Sequence, residues 1–288
     1  MKTLDLLTST LGKPQTIREI TSGSRLIAAV GRWRHPAACV NLSDIDTVQL
    51  VFNVSGGQEV ELGNCDRSLR RPIRAGTIGV VLPGNPTRVA INGRADIIQI
   101  IVTKQVLEAT RRPDAVSKVN LHLCESHLQA AGAQALVALA NGRRNTRTEL
   151  ERIVRYVIPW LAALANRRSF SFVQGGLSPT AQRKVRALMG DRLQLNGCSP
   201  LNLAELAYAA GLSVHHFVKA FHHTEGETPY ASVIARRLDL ALSLLLQPRA
   251  RVDWIAEQTG FSSPSHFVSS FRAHIGITPG AVRDAASA

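Results

Sequence analysis

The chain has 288 residues, a length sufficient for two domains of ordinary size, each with an apolar core of its own. Hydrophobic residues make up 45% and charged residues 19% of it, which excludes an intrinsically disordered protein, and no apolar stretch reaches the roughly 18 residues that a membrane span needs. The net charge of +13 favours an anionic partner, and nucleic acid is the commonest one for so basic a protein.

The N-terminus and the cysteines indicate a compartment. Met1 to Leu11 lack the basic, apolar and small-residue regions of a signal peptide. The cysteines form no CxxC pair, which argues against a disulfide framework and against a zinc finger; they are Cys39, Cys65, Cys124 and Cys198. We therefore expect a cytoplasmic protein, and no motif in the chain predicts a metal or another cofactor.

Short β-rich runs fill the segment from Thr47 to Thr103. Turn signals such as Ser55-Gly56-Gly57 and Asn92-Gly93 separate them. This pattern predicts an antiparallel sandwich or a small barrel. The predicted strands are Thr47–Val54, Gln58–Leu62, Thr77–Leu82, Thr87–Ile91 and Asp96–Val102.

From about Ala115 the pattern changes to long segments rich in alanine and leucine. Two helices are predicted there, over Leu121–Ala140 and Thr148–Ala165. The residues Arg167–Leu177 show no helical period and contain a Gly-Gly pair, which makes them the best linker candidate.

Past this linker, signals for the start of a helix recur. Four hydroxyl residues each stand before a proline, the arrangement of an N-cap followed by the first helical position; they are Ser178, Thr228, Ser263 and Thr278. Asn202 and Ser213 are two further cap candidates. We therefore expect seven short helices from residue 178 onwards.

The same part of the chain repeats itself. The segment Leu203–Pro229 matches Val252–Pro279 in residue types and spacing, with one additional residue in the second copy. Each copy has an apolar pair, then a glycine, then two phenylalanines four residues apart. These are Leu206-Ala207, Gly211, Phe217 and Phe221 in the first copy and Ile255-Ala256, Gly260, Phe267 and Phe271 in the second.

This order of residues predicts a helix-turn-helix unit in each copy. Gly211 and Gly260 are expected in the left-handed conformation that the tight turn requires. The phenylalanines bury one face of the second helix, and its opposite face is left for the major groove of DNA.

A single helix is predicted to join the two units. In Pro229–Leu246 one helical stripe is apolar; it consists of Tyr230, Val233, Ile234, Leu238, Ala241 and Leu245. Such a helix would be about 27 Å long and could place the two reading helices in successive turns of the major groove, about 34 Å apart.

The arrangement resembles the AraC/XylS family of bacterial transcription regulators, over about Ser178 to Asp284. The most specific matches lie in the second unit and in the joining helix. They are Ile255-Ala256, Gly260-Phe261, Ser265, Phe267, Phe271, Gly276 and Pro279, together with Arg237, Ala241, Leu244 and Leu245.

The resemblance implies an α+β protein: an N-terminal cupin-like β-sandwich or barrel with a helical dimerisation segment, and a C-terminal all-α domain of two helix-turn-helix subdomains. It places the effector or sensor domain at residues 1–114, the dimerisation segment at 115–166, the linker at 167–177 and the DNA-binding domain at 178–288. The implied function is sequence-specific transcription regulation, mostly activation in response to a small-molecule effector. The implied partners are promoter DNA, RNA polymerase and a second copy in a homodimer.

Carried over position by position, the resemblance names the residues that face DNA. In the first unit these are His215, Val218 and Lys219 at base edges, with His216 and His222 near phosphates; in the second they are Pro264, Ser265, Val268 and Ser269, with Arg272 towards the backbone. Many family members have arginine at the position of Ser269, and serine cannot bind guanine bidentately as arginine does. We therefore expect less base-specific reading by the second unit.

The effector pocket is expected at the mouth of the N-terminal barrel, beside Trp33 and the strands Thr77–Leu82 and Asp96–Val102.

Other interpretations remain. His215, His216, His222 and His223 could share a zinc ion, although exposed imidazoles that strengthen DNA binding below neutral pH fit them better. An architectural protein that binds DNA without reading its sequence would suit the excess of positive charge before residue 178. A cupin-type enzyme is a weaker alternative, because His35 is the sole histidine before residue 122 and a cupin metal site needs clustered ligands.

Overall fold

The computed structural model describes residues 2–41, 45–56, 59–64, 67–72, 75–81, 88–103, 105–106, 121–123, 126–142, 145–166, 176–194, 202–225 and 227–288. The predicted α+β class is confirmed, because antiparallel sheets occupy the first part of the chain and helices the last part.

The first part contains a helix, α1 (Lys2–Leu11), and two sheets. The six-stranded sheet consists of β1 (Thr16–Ser22), β2 (Arg25–His35), β4 (Thr47–Gly56), β7 (Ile78–Val81), β9 (Ala95–Thr103) and β10 (Leu121–Leu123), in the order β1-β2-β9-β4-β7-β10. The four-stranded sheet consists of β3 (Ala38–Asn41), β5 (Glu59–Asn64), β6 (Arg67–Pro72) and β8 (Arg88–Asn92), in the order β3-β8-β5-β6. All neighbouring strands run antiparallel.

Each of the five predicted strands is present, within one or two residues at the ends that the structure describes. Five further strands, β1, β2, β3, β6 and β10, were not predicted. The strand β2 escapes the sequence pattern because Arg32 and Arg34 interrupt an otherwise apolar run. The arginines are accommodated by a carboxylate that lies far away along the chain, as described below.

The prediction of a helix from Leu121 is wrong at its start. Leu121–Leu123 are the edge strand β10, with Leu121 opposite Val80 and Leu123 opposite Ile78. Apolar residues at a sheet edge and in a buried helix have the same composition, so the sequence did not separate them. The helix α2 begins later and spans Ser126–Asn141, and α3 spans Thr146–Asn166. Of the predicted linker, residues 167–175 lie outside the described residues.

The last part contains the seven predicted helices, α4 (Pro179–Gln194), α5 (Leu203–Ala210), α6 (Val214–Glu225), α7 (Pro229–Leu245), α8 (Val252–Gln258), α9 (Pro264–Ile275) and α10 (Pro279–Ser287). The predicted caps are confirmed. Ser178, Thr228, Ser263 and Thr278 each accept a hydrogen bond from the backbone N–H three residues on, at 3.1–3.3 Å. Such caps satisfy donors that a helix start would otherwise leave unpaired.

The apolar core does not divide where the sequence pattern changes. One cluster combines the α2 side of the six-stranded sheet, α2, α3 and the second helix-turn-helix unit, with Phe52, Leu128 and Phe271 all fully buried in it. A separate cluster holds the first unit, around Phe217 and Met189. The second unit is therefore packed against the N-terminal part, while the first unit has a core of its own.

The helix α2 lies at the centre of the larger cluster. Its apolar residues are covered by the sheet on one side and by α9 and α10 on another. Gln134 adds a polar contact, because its Nε2 donates to the carbonyl of Ile275 at 2.6 Å, at the end of α9. The apolar character of α2 is thus explained by packing within one chain. The exposed side of α3 carries Arg152, Arg155 and Tyr156.

A buried arginine joins the sheet to the last helix. Arg32 of β2, 5% exposed, donates through Nε and Nη2 to both carboxylate oxygens of Asp96 on β9, at 2.9 and 2.8 Å. Its Nη1 also donates to the carbonyl of Ala285 at 3.2 Å, and Nη2 contacts that of Ala286 at 3.4 Å. These carbonyls end α10, where helical oxygens lack partners and the helix dipole is negative.

Replacing Arg32 by methionine should destabilise the fold, because Asp96 would stay buried without its main partner. Breaking a buried ion pair costs about 3–5 kcal/mol, so we expect urea unfolding, followed by tryptophan fluorescence, to show a loss of about 3 kcal/mol. Arg34→Met is the matched control, since Arg34 binds the same carboxylate at 2.8 Å but its side chain is 40% exposed. Its loss should stay below about 1 kcal/mol, and equal losses for both variants would contradict the role given to Arg32.

Candidate nucleic-acid interface

The first unit consists of α5 and α6, joined by a tight turn. Gly211 ends α5 with φ of 71°, in the predicted left-handed conformation, and its N–H donates to carbonyls of α5. Ser213 then caps α6, with its Oγ 3.4 Å from the N–H of His216. Phe217 and Phe221 are buried with ring centroids 5.5 Å apart, which fixes the orientation of α6.

The second unit repeats this construction with α8 and α9. Gly260 has φ of 72° in the turn, and Ser263 caps α9 through the N–H of His266 at 3.1 Å. Phe267 and Phe271 are fully buried with centroids 5.6 Å apart. The prediction of two helix-turn-helix units is confirmed in both turns and both cores.

The joining helix α7 takes part in both cores. Val233 near its start packs in the cluster of the first unit, whereas Leu238 and Leu245 pack in the larger cluster with the second unit. Its 17 residues make a strut about 26 Å long. One residue of the predicted apolar stripe does not face a core, because Tyr230 in the first turn of α7 is 69% exposed.

The same helix also supports the second turn. Arg237 Nη1 donates to the carbonyl of Gly260 at 2.8 Å. A guanidinium on a turn carbonyl is a charge-assisted bond and holds the entry to α9 more firmly than a neutral donor would. The family-matching residue Arg237 therefore acts through the backbone of the turn.

The face of α6 opposite its phenylalanines is open. The residues predicted there are on that face: His215, His216, Lys219 and His222 are exposed, and Val218 is half-buried. His223 is exposed as well. Among the described residues, no group of three or more His, Cys, Asp or Glu side chains could hold a metal ion, so the zinc interpretation of the histidines gains no support.

The predicted residues of α9 come together at one surface depression. It is lined by Pro264, Ser265, Val268, Ser269 and Arg272, and in addition by Ala273 and Thr278. The predicted five thus share one continuous surface. Ala273 and Thr278 were not predicted, because they lie outside the positions of the reading helix that match the family.

The internal repeat pairs the two faces residue by residue. With Phe217 set on Phe267, His215 corresponds to Ser265, Lys219 to Ser269 and His222 to Arg272. His216 corresponds to His266, which was not among the predicted residues. Both histidines are exposed and have Nδ1 beside a cap-region hydroxyl, at 3.1 Å from Ser213 Oγ and 3.2 Å from Ser262 Oγ. The repeat spacing alone would have identified His266.

Lys219 and Ser269 differ in what they offer a partner. The Lys219 side chain is exposed on α6. The Ser269 hydroxyl donates to the carbonyl of His266 at 3.0 Å, within its own helix. A hydroxyl engaged in this way has given its one donor to the backbone.

Comparison with known proteins agrees with this geometry. The helix-turn-helix domain family matches residues 176–285. The virulence regulon transcriptional activator VirF of Yersinia enterocolitica is 32% identical over 114 residues, 38% of this chain and 42% of that protein. The transcriptional regulator GlxA of Rhizobium meliloti is 36% identical over 84 residues, 29% of this chain and 26% of that protein.

A crystal structure of a Chromobacterium violaceum transcriptional regulator, described as an AraC-type DNA-binding domain protein, is 30% identical. The match covers 37% of this chain and 92% of that one, with a TM-score of 0.34. Through this domain the chain belongs to the AraC/XylS family. The chain spans at most 42% of the length of these curated relatives, so the shared region is the helix-turn-helix domain. In the described part of the chain, no helix combines the length and apolarity that crossing a membrane requires.

A histidine in the last turn of α9 ties this AraC-type domain to the helices before it. His274 faces His127 of α2 with ring centroids 6.5 Å apart, and His127 stacks on Trp160 of α3 at 4.6 Å and meets the Tyr156 hydroxyl at 3.0 Å. Burial lowers the pKa of His274, the nearby His127 lowers it further, and Glu227 opposes the shift. The neutral form of His274 is therefore the one that fits this contact.

Acid should loosen this contact. Because the pKa of His274 is lower in the folded protein than the ordinary value of about 6.5, the unfolded chain binds the proton more readily. The stability it contributes is full above that ordinary value and is lost as pH falls through the depressed one. We expect His274→Gln to flatten the decline of unfolding free energy between about pH 7 and pH 5 in urea titrations. The exposed His222→Gln is the control, and the same decline in all three proteins would refute the assignment.

Proposed function

We propose that the protein is a sequence-specific DNA-binding transcription regulator, most simply an activator that responds to a small-molecule effector. The observation that carries this is the pair of equivalent open faces, on α6 and α9, in two helix-turn-helix units joined by α7. In such a unit the second helix enters the major groove and its exposed side chains reach base edges. The name of VirF as a transcriptional activator supports the sign of regulation.

The residues have distinct roles in this proposal. His215, Val218 and Lys219 reach base edges from the first unit, and Pro264, Ser265, Val268 and Ser269 form the corresponding surface of the second. His216, His222 and Arg272 lie towards the phosphates. We add His266 to this last group, because it repeats the position and the hydroxyl contact of His216.

The remaining partners follow from the same function. An activator contacts RNA polymerase at a promoter, and it acts in the cytoplasm. A homodimer would present two such domains to DNA, with the exposed side of α3 as the surface still open to a second copy. Light scattering of the purified chain tests this stoichiometry directly.

The effector is proposed to bind in the N-terminal part, between the sheets and beside Trp33. Trp33 is fully buried, on the side of the six-stranded sheet that faces away from α2. The strands β7 and β9, which cover the predicted segments Thr77–Leu82 and Asp96–Val102, belong to the same sheet; Leu82 lies outside the described residues.

Recovery of genomic DNA tests the function as a whole. The purified full chain is incubated with sheared bacterial DNA at near-physiological salt and with excess competitor, and the bound fragments are sequenced. Enrichment of a few sites that share a motif is expected. Uniform recovery would instead favour the architectural protein, whose binding depends on phosphates alone.

The two units should contribute unequally to the reading of such a site. Lys219→Ala should lower the affinity for the recovered site about 5- to 150-fold, equivalent to about 1–3 kcal/mol, because a base contact is lost. Ser269→Ala, at the equivalent position, should change it less than about threefold, because the hydroxyl is already bonded within α9. Fluorescence anisotropy at fixed salt measures both. Equal losses, or base substitutions that cost the same in both half-sites, would disprove the asymmetry.

A further inference from the structure

The side of the six-stranded sheet that faces away from α2 is called the inner face here. Paired residues of antiparallel strands share a side, and the register places Gly31, Gln99 and Val51 in one row and Ala29, Ile101 and Gln49 in the next. On the three central strands the inner face includes Ala29, Gly31, Trp33 and His35 of β2, Thr47, Gln49, Val51 and Asn53 of β4, and Ala95, Ile97, Gln99, Ile101 and Thr103 of β9.

Polar atoms without partners concentrate on this face. They are Trp33 Nε1, His35 Nε2, Thr47 Oγ1, both amide atoms of Gln49, and Gln99 Oε1. Among the described residues, ten buried side-chain polar atoms lack a hydrogen bond, and these six are on the inner face. All five residues are at most 6% exposed, so bulk water does not reach them freely.

The opposite side of the same strands shows that the sheet does not tolerate such groups in general. There Leu50, Phe52 and Ile98 are apolar and fully buried, and the charged Arg32 and Asp96 satisfy each other. A buried donor or acceptor without a partner destabilises a fold, and leucine or methionine at the glutamine positions would avoid that cost. The inner face therefore has the pattern of a binding surface whose hydrogen bonds are completed by a ligand.

We propose that the inner face binds an uncharged small molecule that offers both hydrogen-bond donors and acceptors. This inference rests on the proposed effector function and specifies the chemistry of the effector.

The donor and acceptor types define that chemistry. Trp33 offers a donor, the Gln49 amide offers one donor and one acceptor, and Gln99 offers an acceptor. The Nδ1 of His35 lies 2.6 Å from the carbonyl of Pro36. A carbonyl can only accept, so Nδ1 carries a hydrogen, and in a neutral imidazole Nε2 is then an acceptor towards the interior.

The described residues of β2, β4 and β9 on the inner face offer no counter-ion to an ionic ligand. None of the buried residues of the inner face is Lys, Arg, Asp or Glu. A carboxylate or phosphate ligand would be taken out of water without a counter-ion, which is strongly unfavourable. The polar atoms lie among apolar side chains, including Val51, Ile97 and Ile101, which pack in one cluster with Leu7 and Leu11 of α1. The carbon skeleton of a neutral molecule would fit these apolar surroundings.

The same strands connect this surface to the DNA-binding domain. Trp33 follows Arg32 on β2, and Gln99 lies on β9 together with Asp96. Because side chains alternate along a strand, Trp33 and Gln99 face the ligand, whereas Arg32 and Asp96 lie on the opposite side, towards α10. A ligand that fixes the spacing of β2 and β9 also fixes the guanidinium that holds the end of α10. The second helix-turn-helix unit is thereby the one that senses the ligand.

The test uses the full chain, the double variant Gln49→Met/Gln99→Met and the control Leu50→Met, which changes the opposite side of β4. Each protein is dialysed to equilibrium against a polar metabolite extract of a bacterium at pH 7, and retained compounds are identified by mass spectrometry. We expect the wild type and the control to retain an uncharged compound, and the double variant to retain it at least about tenfold less, because two hydrogen bonds are lost. Retention of no compound, of ions only, or of equal amounts by all three proteins would overturn the proposal.

Two further measurements keep the result interpretable. Without metabolites, the melting temperature of the double variant should equal or exceed that of the wild type, because methionine removes unpaired amides at nearly constant volume. A clear decrease would show that the amides are already bonded within the fold and would also overturn the proposal. DNA recovery by the wild type separates the two claims: sites recovered without any retained compound refute the ligand alone, whereas uniform recovery refutes the regulator.

Discussion

The guanidinium of Arg32 is the contact on which the organisation of the molecule depends. It satisfies a buried carboxylate of the neighbouring strand and, at the same time, the unpaired carbonyls at the end of the last helix. Without it, Asp96 would keep only Arg34 as a charged partner, and the carbonyls of Ala285 and Ala286 would lose the guanidinium that donates to them. Together with Gln134 at the end of α9, it makes the second helix-turn-helix unit part of the same core as the six-stranded sheet.

This arrangement gives the two reading units different surroundings. The second is held from three directions, by the sheet, by α2 and by Arg237 of the joining helix. The first has a small core of its own and is connected to the rest through α7. A change in the N-terminal part therefore reaches the second unit through rigid packing, and the first unit through one helix. The two open faces differ in the same way. The face of the first unit carries Lys219, and the face of the second unit carries Ser269 at the equivalent position.

The sequence predicted the features that local chemistry decides. The hydroxyl caps, the left-handed Gly211 and Gly260 and the paired phenylalanines each follow from residues within one turn of a helix. It did not predict β2, whose Arg32 finds Asp96 64 residues later along the chain, or the edge strand at Leu121–Leu123, whose partner is β7. The inner face was out of reach for the same reason, because Gln49 and Gln99 become neighbours only through strand register. His266 is the exception, since the internal repeat alone would have revealed it.

The central claim is that one chain reads DNA with two helix-turn-helix units at a separation fixed by α7. Chemical footprinting of guanines on a recovered site measures this directly, in the wild type and in Lys219→Ala. We expect two protected major-groove segments on one side of the duplex, about 10–10.5 base pairs apart, with protection reduced in one segment only for the variant. A single protected segment, or continuous protection without a period, would contradict the account.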